Sequence, residues 1–99
     1  MPGESFCRVK ISYDPRKRAD TLERRGLDFE DAVHVFAGDA IDFIDDRQDY
    51  GEIRWLTFGR LDGRLMVIVW TNRNGIRHII SMRKANEREK EKYRRQLGS

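Results

Sequence analysis

Hydrophobic and polar residues alternate with a period of two along several stretches of the chain, which is the pattern of half-buried strands. Residues 6–13 show this alternation most clearly, and residues 65–70 are apolar on both faces, which predicts a central strand. Asp62-Gly63 and Asn74-Gly75 are typical of two-residue hairpin turns, so the last three strands are expected to pair in succession. The predicted strands are residues 6–13, 40–45, 53–61, 65–73 and 76–83.

Helical spacing and capping residues predict two helices between the first two strands. Asp14 as N-cap and Pro15 at the first position begin a helix that ends at Gly26, and its thin apolar content places it on the surface. A second helix begins after Asp28 and ends at Gly38. Its apolar stripe consists of Phe29, Ala32, Val33 and Phe36, at i, i+3, i+4 and i+7.

A third, strongly charged helix is expected after the last strand, over residues 84–97. The resulting order β-α-α-β-β-β-β-α predicts an α+β fold, an antiparallel sheet with helices packed on it. Residues 1–97 are expected to form a single domain, with Gly98 and Ser99 as a tail or a cloning remnant. One narrow face of the third helix carries Ala85, Glu89, Tyr93 and Leu97.

The net charge of +3 conceals a strong division along the chain. Residues 1–26 carry seven Lys/Arg against four Asp/Glu, residues 27–53 one against nine, and residues 54–99 twelve against four. The basic ends indicate a polyanionic partner, and the acidic middle indicates a basic partner or a repulsive wall. The simpler interpretation is that the charges only keep a small domain soluble.

Several protein classes are disfavoured by what the sequence lacks. No stretch approaches the roughly 20 apolar residues that cross a bilayer, and no signal peptide is visible, so a cytoplasmic protein without a membrane partner is expected. Cys7 has no second cysteine to pair with and is expected to be a buried, reduced thiol. No metal-ligand spacing, phosphate-binding glycine loop or catalytic Ser-His-Asp trio is present, so no metal or cofactor is expected. The residues interpreted as a solvated acidic edge are Asp39, Asp42, Asp45, Asp46 and Asp49.

The predicted last strand carries the residues with the clearest chemical potential. Regular alternation places Arg77 and Arg83 on one face and His78 on the other. Two arginines on one face predict a phosphate-binding row, because the guanidinium fork matches phosphate oxygens. Ile79 and Ser81 would share the arginine face, and Ile76, Ile80 and Met82 the histidine face.

Metal-free RNA cleavage, with a cyclic phosphate product, needs a base for the 2′-hydroxyl, an acid for the 5′-oxygen and a cation for the charge on phosphorus. Arg83 suits the cation, and His78 suits the acid or base because it titrates near neutral pH. Only a bulge or twist would bring the two together; otherwise His78 is a half-buried core histidine. Tyr93 either packs on the sheet or stacks on a base. The residues expected to position RNA are Lys10, Arg60, Arg64 and Arg77.

Three motifs and several single residues, spread over nearly the whole chain, together form a recognisable pattern. The motifs are Tyr13-Asp14-Pro15, residues 25–32 and residues 80–85. The single residues are Val35, Phe36, Glu52, Arg54, Gly59, Thr71, Arg73, Glu89 and Tyr93. This pattern resembles that of the BrnT family of toxins.

The resemblance implies a RelE-like fold and a ribonuclease that inhibits translation and growth by cutting RNA. It also implies a cognate antitoxin with a ribbon-helix-helix domain, so that DNA is bound only through the toxin–antitoxin hetero-oligomer. Arg83, Glu89 and Tyr93 carry over as catalytic candidates. Two positions depart from the family pattern: Arg24-Arg25 stands where many relatives have Lys-His, and His78 stands where many have Arg.

A non-catalytic RNA-binding or regulatory module is the main alternative, favoured by the basic last helix and the absence of a clean acid–base pair. Direct DNA binding is weaker, because no helix-turn-helix spacing is visible. The acidic residues 39–52 and the exposed first helix are candidate contacts for the antitoxin. The sequence leaves open whether cleavage would require the ribosome.

Overall fold

The computed structural model describes residues 9–97, so the predicted burial of Cys7 lies outside the described residues. The described chain forms five strands and three helices, which confirms the α+β class. No helix within residues 9–97 has the length and apolar character needed to cross a membrane. The elements are β1 (Ile11–Tyr13), α1 (Pro15–Arg25), a 3₁₀ turn (Phe29–Asp31), α2 (Ala32–Ala37), β2 (Ile41–Ile44), β3 (Trp55–Leu61), β4 (Arg64–Arg73), β5 (Ile76–Lys84) and α3 (Glu87–Gln96).

The five strands form one sheet in the order β1-β5-β4-β3-β2. Three neighbouring pairs are antiparallel, but β1 runs parallel to β5. The prediction of a fully antiparallel sheet is therefore wrong at this edge. The alternation along a strand defines its two faces but does not specify which strand lies beside it, so the pattern in residues 6–13 could not reveal this pairing.

The two predicted hairpins are confirmed by their turn geometry. Asp62 and Gly63 have φ values of 52° and 79°, and Asn74 and Gly75 have φ values of 56° and 82°. Positive φ at both central residues is the geometry of the turn whose twist matches paired strands. The strand between these turns, β4, lies at the centre of the sheet and is buried from Leu65 to Thr71, as its unbroken apolar run predicts.

The sheet is covered by helices on both faces, which we call the α2 face and the α3 face. On the α2 face, the 3₁₀ turn and α2 pack against alternate residues of β4. On the α3 face, Tyr93 of α3 packs against β3 and β4. The α2-face core includes Phe29, Ala32, Val35, Met66, Ile68 and Trp70. The α3-face core includes Phe58, Leu65, Val67, Ala85 and Tyr93.

The first two helical segments begin where the capping residues predict, but α2 differs in phase, and α3 begins at Glu87 and not at residue 84. Asp14 accepts a hydrogen bond from the Arg16 backbone N–H, and α1 has no buried residue, as expected for a surface helix. The second helix starts with a 3₁₀ turn, which has three residues per turn. Val35 is consequently fully buried, whereas Val33 is only partly buried, so the predicted stripe is wrong at these two positions.

Gly59 allows α2 to approach the sheet closely. A Cβ at this position would lie 2.7 Å from Val35 Cγ1 and 3.3 Å from the Val35 carbonyl oxygen. Gly59→Ala is therefore expected to lower the free energy of unfolding by about 1–3 kcal/mol. Gly38→Ala is the control, because its Cβ would meet nothing closer than 3.8 Å. Urea denaturation measures both variants, and equal stabilities would contradict the close-packing argument.

Candidate active site

A bulge in β5 brings His78 and Arg83 to the same face of the sheet. On β4, Val69 pairs with Ser81 and Trp70 with Ile79, so Ile80 has no partner in the ladder. The extra residue reverses the phase of the strand on its two sides. His78, Ser81 and Arg83 therefore share the α3 face, since they pair with Thr71, Val69 and Val67, which are alternate residues of β4.

Arg77 lies on the opposite face, so the predicted row of Arg77 and Arg83 is wrong. The Arg77 guanidinium lies 4.5 Å from the ring centroids of both Phe36 and Trp70 on the α2 face. This cation–π arrangement stabilises the edge of that core. The bulge at Ile80 is again the cause, because a regular strand would keep both arginines on one face.

His78 is held between β1 and β4 in an environment that disfavours its protonated form. Ser12 of β1 forms a 2.9 Å hydrogen bond to His78 Nδ1. Burial lowers the pKa of His78 below its usual 6.5, and the positive charges of Arg73 and Lys17 lower it further, while Glu52 acts in the opposite direction. This environment favours the neutral form of His78, which is the form able to accept a proton.

Arg83 forms a bidentate ion pair with Glu89 of α3. Arg83 Nη1 and Nη2 each donate a 2.8 Å hydrogen bond to a different oxygen of the Glu89 carboxylate. Glu89 also accepts from the Asn86 backbone N–H, which closes the capping box of α3. The pKa of Glu89 is lowered chiefly by its hydrogen bonds with Arg83, and the pKa of Arg83 is raised by the same contact. The Arg83 side chain keeps 34 % exposure, so its outer edge is open to a ligand.

Tyr93 is a core residue and is not exposed to RNA. Its side chain is 2 % exposed, and its hydroxyl donates a 2.6 Å hydrogen bond to the Asp39 backbone carbonyl. Of the two interpretations of Tyr93, packing on the sheet agrees with this position and stacking on a base does not. The tyrosine fixes α3 to the sheet, and α3 in turn positions Glu89.

The remaining predicted RNA-positioning residues lie at two separate places. Lys10 is exposed beside β1, two residues before Ser12. Arg60 and Arg64 flank the β3–β4 turn, where the Arg60 guanidinium lies 5.6 Å from the Tyr93 ring centroid. These three residues are accessible to a ligand. Among residues 9–97, none of them forms a side-chain hydrogen bond with His78 or Arg83, whose side-chain partners are Ser12 and Glu89.

Sequence reasoning missed several residues that surround His78. Ser12 and Lys17 come from the first strand and first helix, and Glu52 lies in the loop before β3. A cavity of about 430 Å³, the α1 cavity, opens between α1 and β5 next to Ser81. These residues come close to His78 because β1 pairs with β5, and no local sequence pattern predicts that pairing. The basic residues that line the α1 cavity are Arg16, Lys17 and Arg25.

The acidic edge is only partly solvated. Asp45 is 4 % exposed and binds Arg47 through hydrogen bonds of 2.7 Å to each carboxylate oxygen, which contradicts its predicted exposure. Asp42 accepts a 2.6 Å hydrogen bond from Thr57 Oγ1. The described residues 9–97 contain no group of three or more His, Cys, Asp and Glu side chains arranged to hold a metal ion.

Comparison with known protein families identifies the family of this chain. The family model described as "Ribonuclease toxin, BrnT, of type II toxin-antitoxin system" matches residues 13–89, which is more than half of the chain. No curated protein matches the chain. The matched range includes His78, Arg83 and Glu89 and ends before Tyr93.

Proposed function

Because the chain belongs to the BrnT ribonuclease toxins of type II toxin–antitoxin systems, we propose that it is an endoribonuclease that cleaves RNA without a metal ion. The observation that most supports this proposal is the bulge at Ile80, which puts His78 and Arg83 on the same face of the sheet. A neutral histidine and a fixed arginine together supply a base and a cation, two of the roles that such cleavage needs. The RelE-like character of the fold is part of the same proposal.

The proposed reaction begins with the RNA phosphate above Ser81, between His78 and Arg83. His78 accepts the proton of the 2′-hydroxyl, the 2′-oxygen forms a bond to phosphorus, and the bond from phosphorus to the 5′-oxygen breaks. The 5′-oxygen takes a proton from solvent, which leaves a 2′,3′-cyclic phosphate and a 5′-hydroxyl. Arg83 stabilises the negative charge that builds on the phosphate oxygens, because its donors are already oriented by Glu89.

Glu89 has a positioning role in this proposal. Its carboxylate is ionised and committed to Arg83 and to the Asn86 N–H, so it is not the proton donor. A cognate antitoxin neutralises a toxin of this class, and we propose that this antitoxin has a ribbon-helix-helix DNA-binding domain. Asp45 is not a candidate contact for the antitoxin, because its side chain is buried and already paired with Arg47.

Incubation of the purified protein with end-labelled RNA in excess EDTA tests the proposal. Discrete fragments with cyclic phosphate ends are expected with or without the chelator, because no step requires a metal ion. The product ends distinguish the reaction from contaminating nucleases that leave a 5′-phosphate. Cleavage that disappears in EDTA and returns with added divalent cation would contradict metal independence, whereas RNA binding without cleavage would favour the non-catalytic module.

The pH dependence of cleavage should report the protonation of His78. The base must be neutral, and burial lowers the pKa of His78 below 6.5, so the rate should be constant at neutral pH. The rate should fall only as the pH drops through the lowered pKa, because protonation removes the base. A single-turnover profile measures this, with His78→Gln as the control in which the acid limb is lost. A limb centred above 6.5, or one that persists in His78→Gln, would assign the base elsewhere.

A further inference from the structure

A second strongly basic cavity, the α3 cavity, lies between α3 and the β3–β4 hairpin. Its volume is about 430 Å³. Lys84 and Ala85, which follow Arg83 directly in the chain, form part of its wall. The wall of the α3 cavity therefore begins at the residue that follows Arg83 of the candidate active site. The cations that line it are Arg60, Arg64, Lys84, Lys90 and Arg94.

The positive charge of the α3 cavity is poorly compensated by the protein. No carboxylate belongs to the lining. Lys90 and Arg94 do form ion pairs, with Glu87 at 3.1 Å and Glu91 at 2.8 Å, but both pairs lie within α3 at exposed positions. In the part of the chain that the structure describes, no acidic side chain pairs with the other three cations. Like charges brought together in this way create a potential that favours anion binding.

The cavity offers charge but no surface for recognising a base. Tyr93 is its one aromatic lining residue, and this ring is 2 % exposed beneath the Arg60 guanidinium. Bases of single-stranded RNA are read by stacking and by hydrogen bonds to their edges, whereas phosphates are bound by Lys and Arg. The lining therefore fits the RNA backbone and not a particular nucleotide.

We propose that the α3 cavity is a phosphate-binding subsite, which holds the RNA strand beside the cleaved bond independently of its sequence. The inference rests on the proposed function for the identity of the ligand. Its position next to Arg83 allows one strand to contact the subsite and the active site together. Affinity for RNA then comes mainly from the α3 cavity, and the chemistry from His78 and Arg83.

Binding of a fluorescent single-stranded 2′-O-methyl oligonucleotide tests this subsite. The blocked 2′-oxygen cannot attack phosphorus, so the measurement does not depend on whether the proposed cleavage mechanism is correct. The variant Lys90→Gln/Arg94→Gln removes two cavity cations. The matched control is Arg88→Gln/Arg95→Gln, which removes two cations of the same helix that lie outside this cavity. All four positions are exposed, so both variants should fold.

The cavity variant is expected to bind about twofold to thirtyfold more weakly, the range for two solvent-exposed ion pairs. The slope of log K against log salt should become shallower by up to about 1.4, or about 0.7 for each lost phosphate contact. The same loss is expected for oligonucleotides of different sequence, and the control should retain the affinity of the parent chain.

Two results would overturn the proposal. Equal losses in the cavity variant and in the control would mean that the helix attracts RNA only through its overall charge. Unchanged RNA affinity in the cavity variant, together with weakened binding of the purified antitoxin, would make the α3 cavity an antitoxin contact. Arg60→Gln/Arg64→Gln provides a second test from the hairpin side, with circular dichroism to verify that it folds.

Discussion

Arg83→Ala should reduce the rate of RNA cleavage by about 10²–10³-fold, the usual loss when one group that stabilises transition-state charge is removed. Among the cations of β5, Arg83 shares a sheet face with His78 and Ser81, whereas Arg77 lies on the opposite face. The fold should survive, because the guanidinium lies at the surface and Glu89 retains its hydrogen bond from the Asn86 N–H. Single-turnover cleavage of end-labelled RNA, together with a thermal melt, measures both effects.

Two further substitutions separate the charge of Arg83 from its orientation. Arg83→Lys keeps the charge but loses the planar fork that pairs with both oxygens of Glu89, so an intermediate rate is expected. Glu89→Gln keeps a capping side chain for α3 but weakens the hold on Arg83, so a smaller loss is expected than for Arg83→Ala. Wild-type cleavage by folded Arg83→Ala would remove this residue from the mechanism.

Tyr93→Ala should destabilise the fold by about 3–5 kcal/mol, the range for truncating a large buried aromatic side chain. Tyr93 is 2 % exposed and packs in the α3-face core with residues of β3 and β4. Domains of this size have about 0.05–0.15 kcal/mol of stability per residue, so this loss removes a large share of the total. Urea denaturation, or a fall in melting temperature of well over 10 °C, would report it.

Tyr93→Phe distinguishes a structural role of this residue from a catalytic one. The change removes only the hydrogen bond to the Asp39 carbonyl, so a loss of about 1 kcal/mol is expected, with cleavage close to that of the parent chain. A large loss of cleavage without loss of stability would instead give the hydroxyl a catalytic role, as the family resemblance first implied.

The fold was predictable from sequence wherever its determinants are local. The caps at Asp14 and Gly26 and the hairpin turns at Asp62-Gly63 and Asn74-Gly75 depend on residues close together in the chain. The buried strand β4 was equally predictable, because one uninterrupted run of apolar residues specifies it. These elements agree with the structure to within a few residues at their ends.

The candidate site was harder to predict because its geometry depends on distant pairing. Ser12 and His78 are 66 residues apart, and only the β1–β5 register makes them neighbours. The bulge at Ile80 has no local marker such as glycine, so regular alternation assigned His78 and Arg77 to the wrong faces. The choice of Arg83 as a candidate did not depend on that phase, because it rested on the position of Arg83 near the strand end.

The pairing of β1 with β5 has a consequence for synthesis on the ribosome. β1 emerges among the first elements of the chain, but its strand partner in the described sheet is completed only at Lys84. Until then, β5 is not available to bring His78 to Ser12, and Glu89 of α3, the partner of Arg83, has not yet been synthesised. A nascent chain is therefore an unassembled enzyme for most of its translation. The toxin can become active only after its sheet is complete, so its activity is delayed until late in its own synthesis.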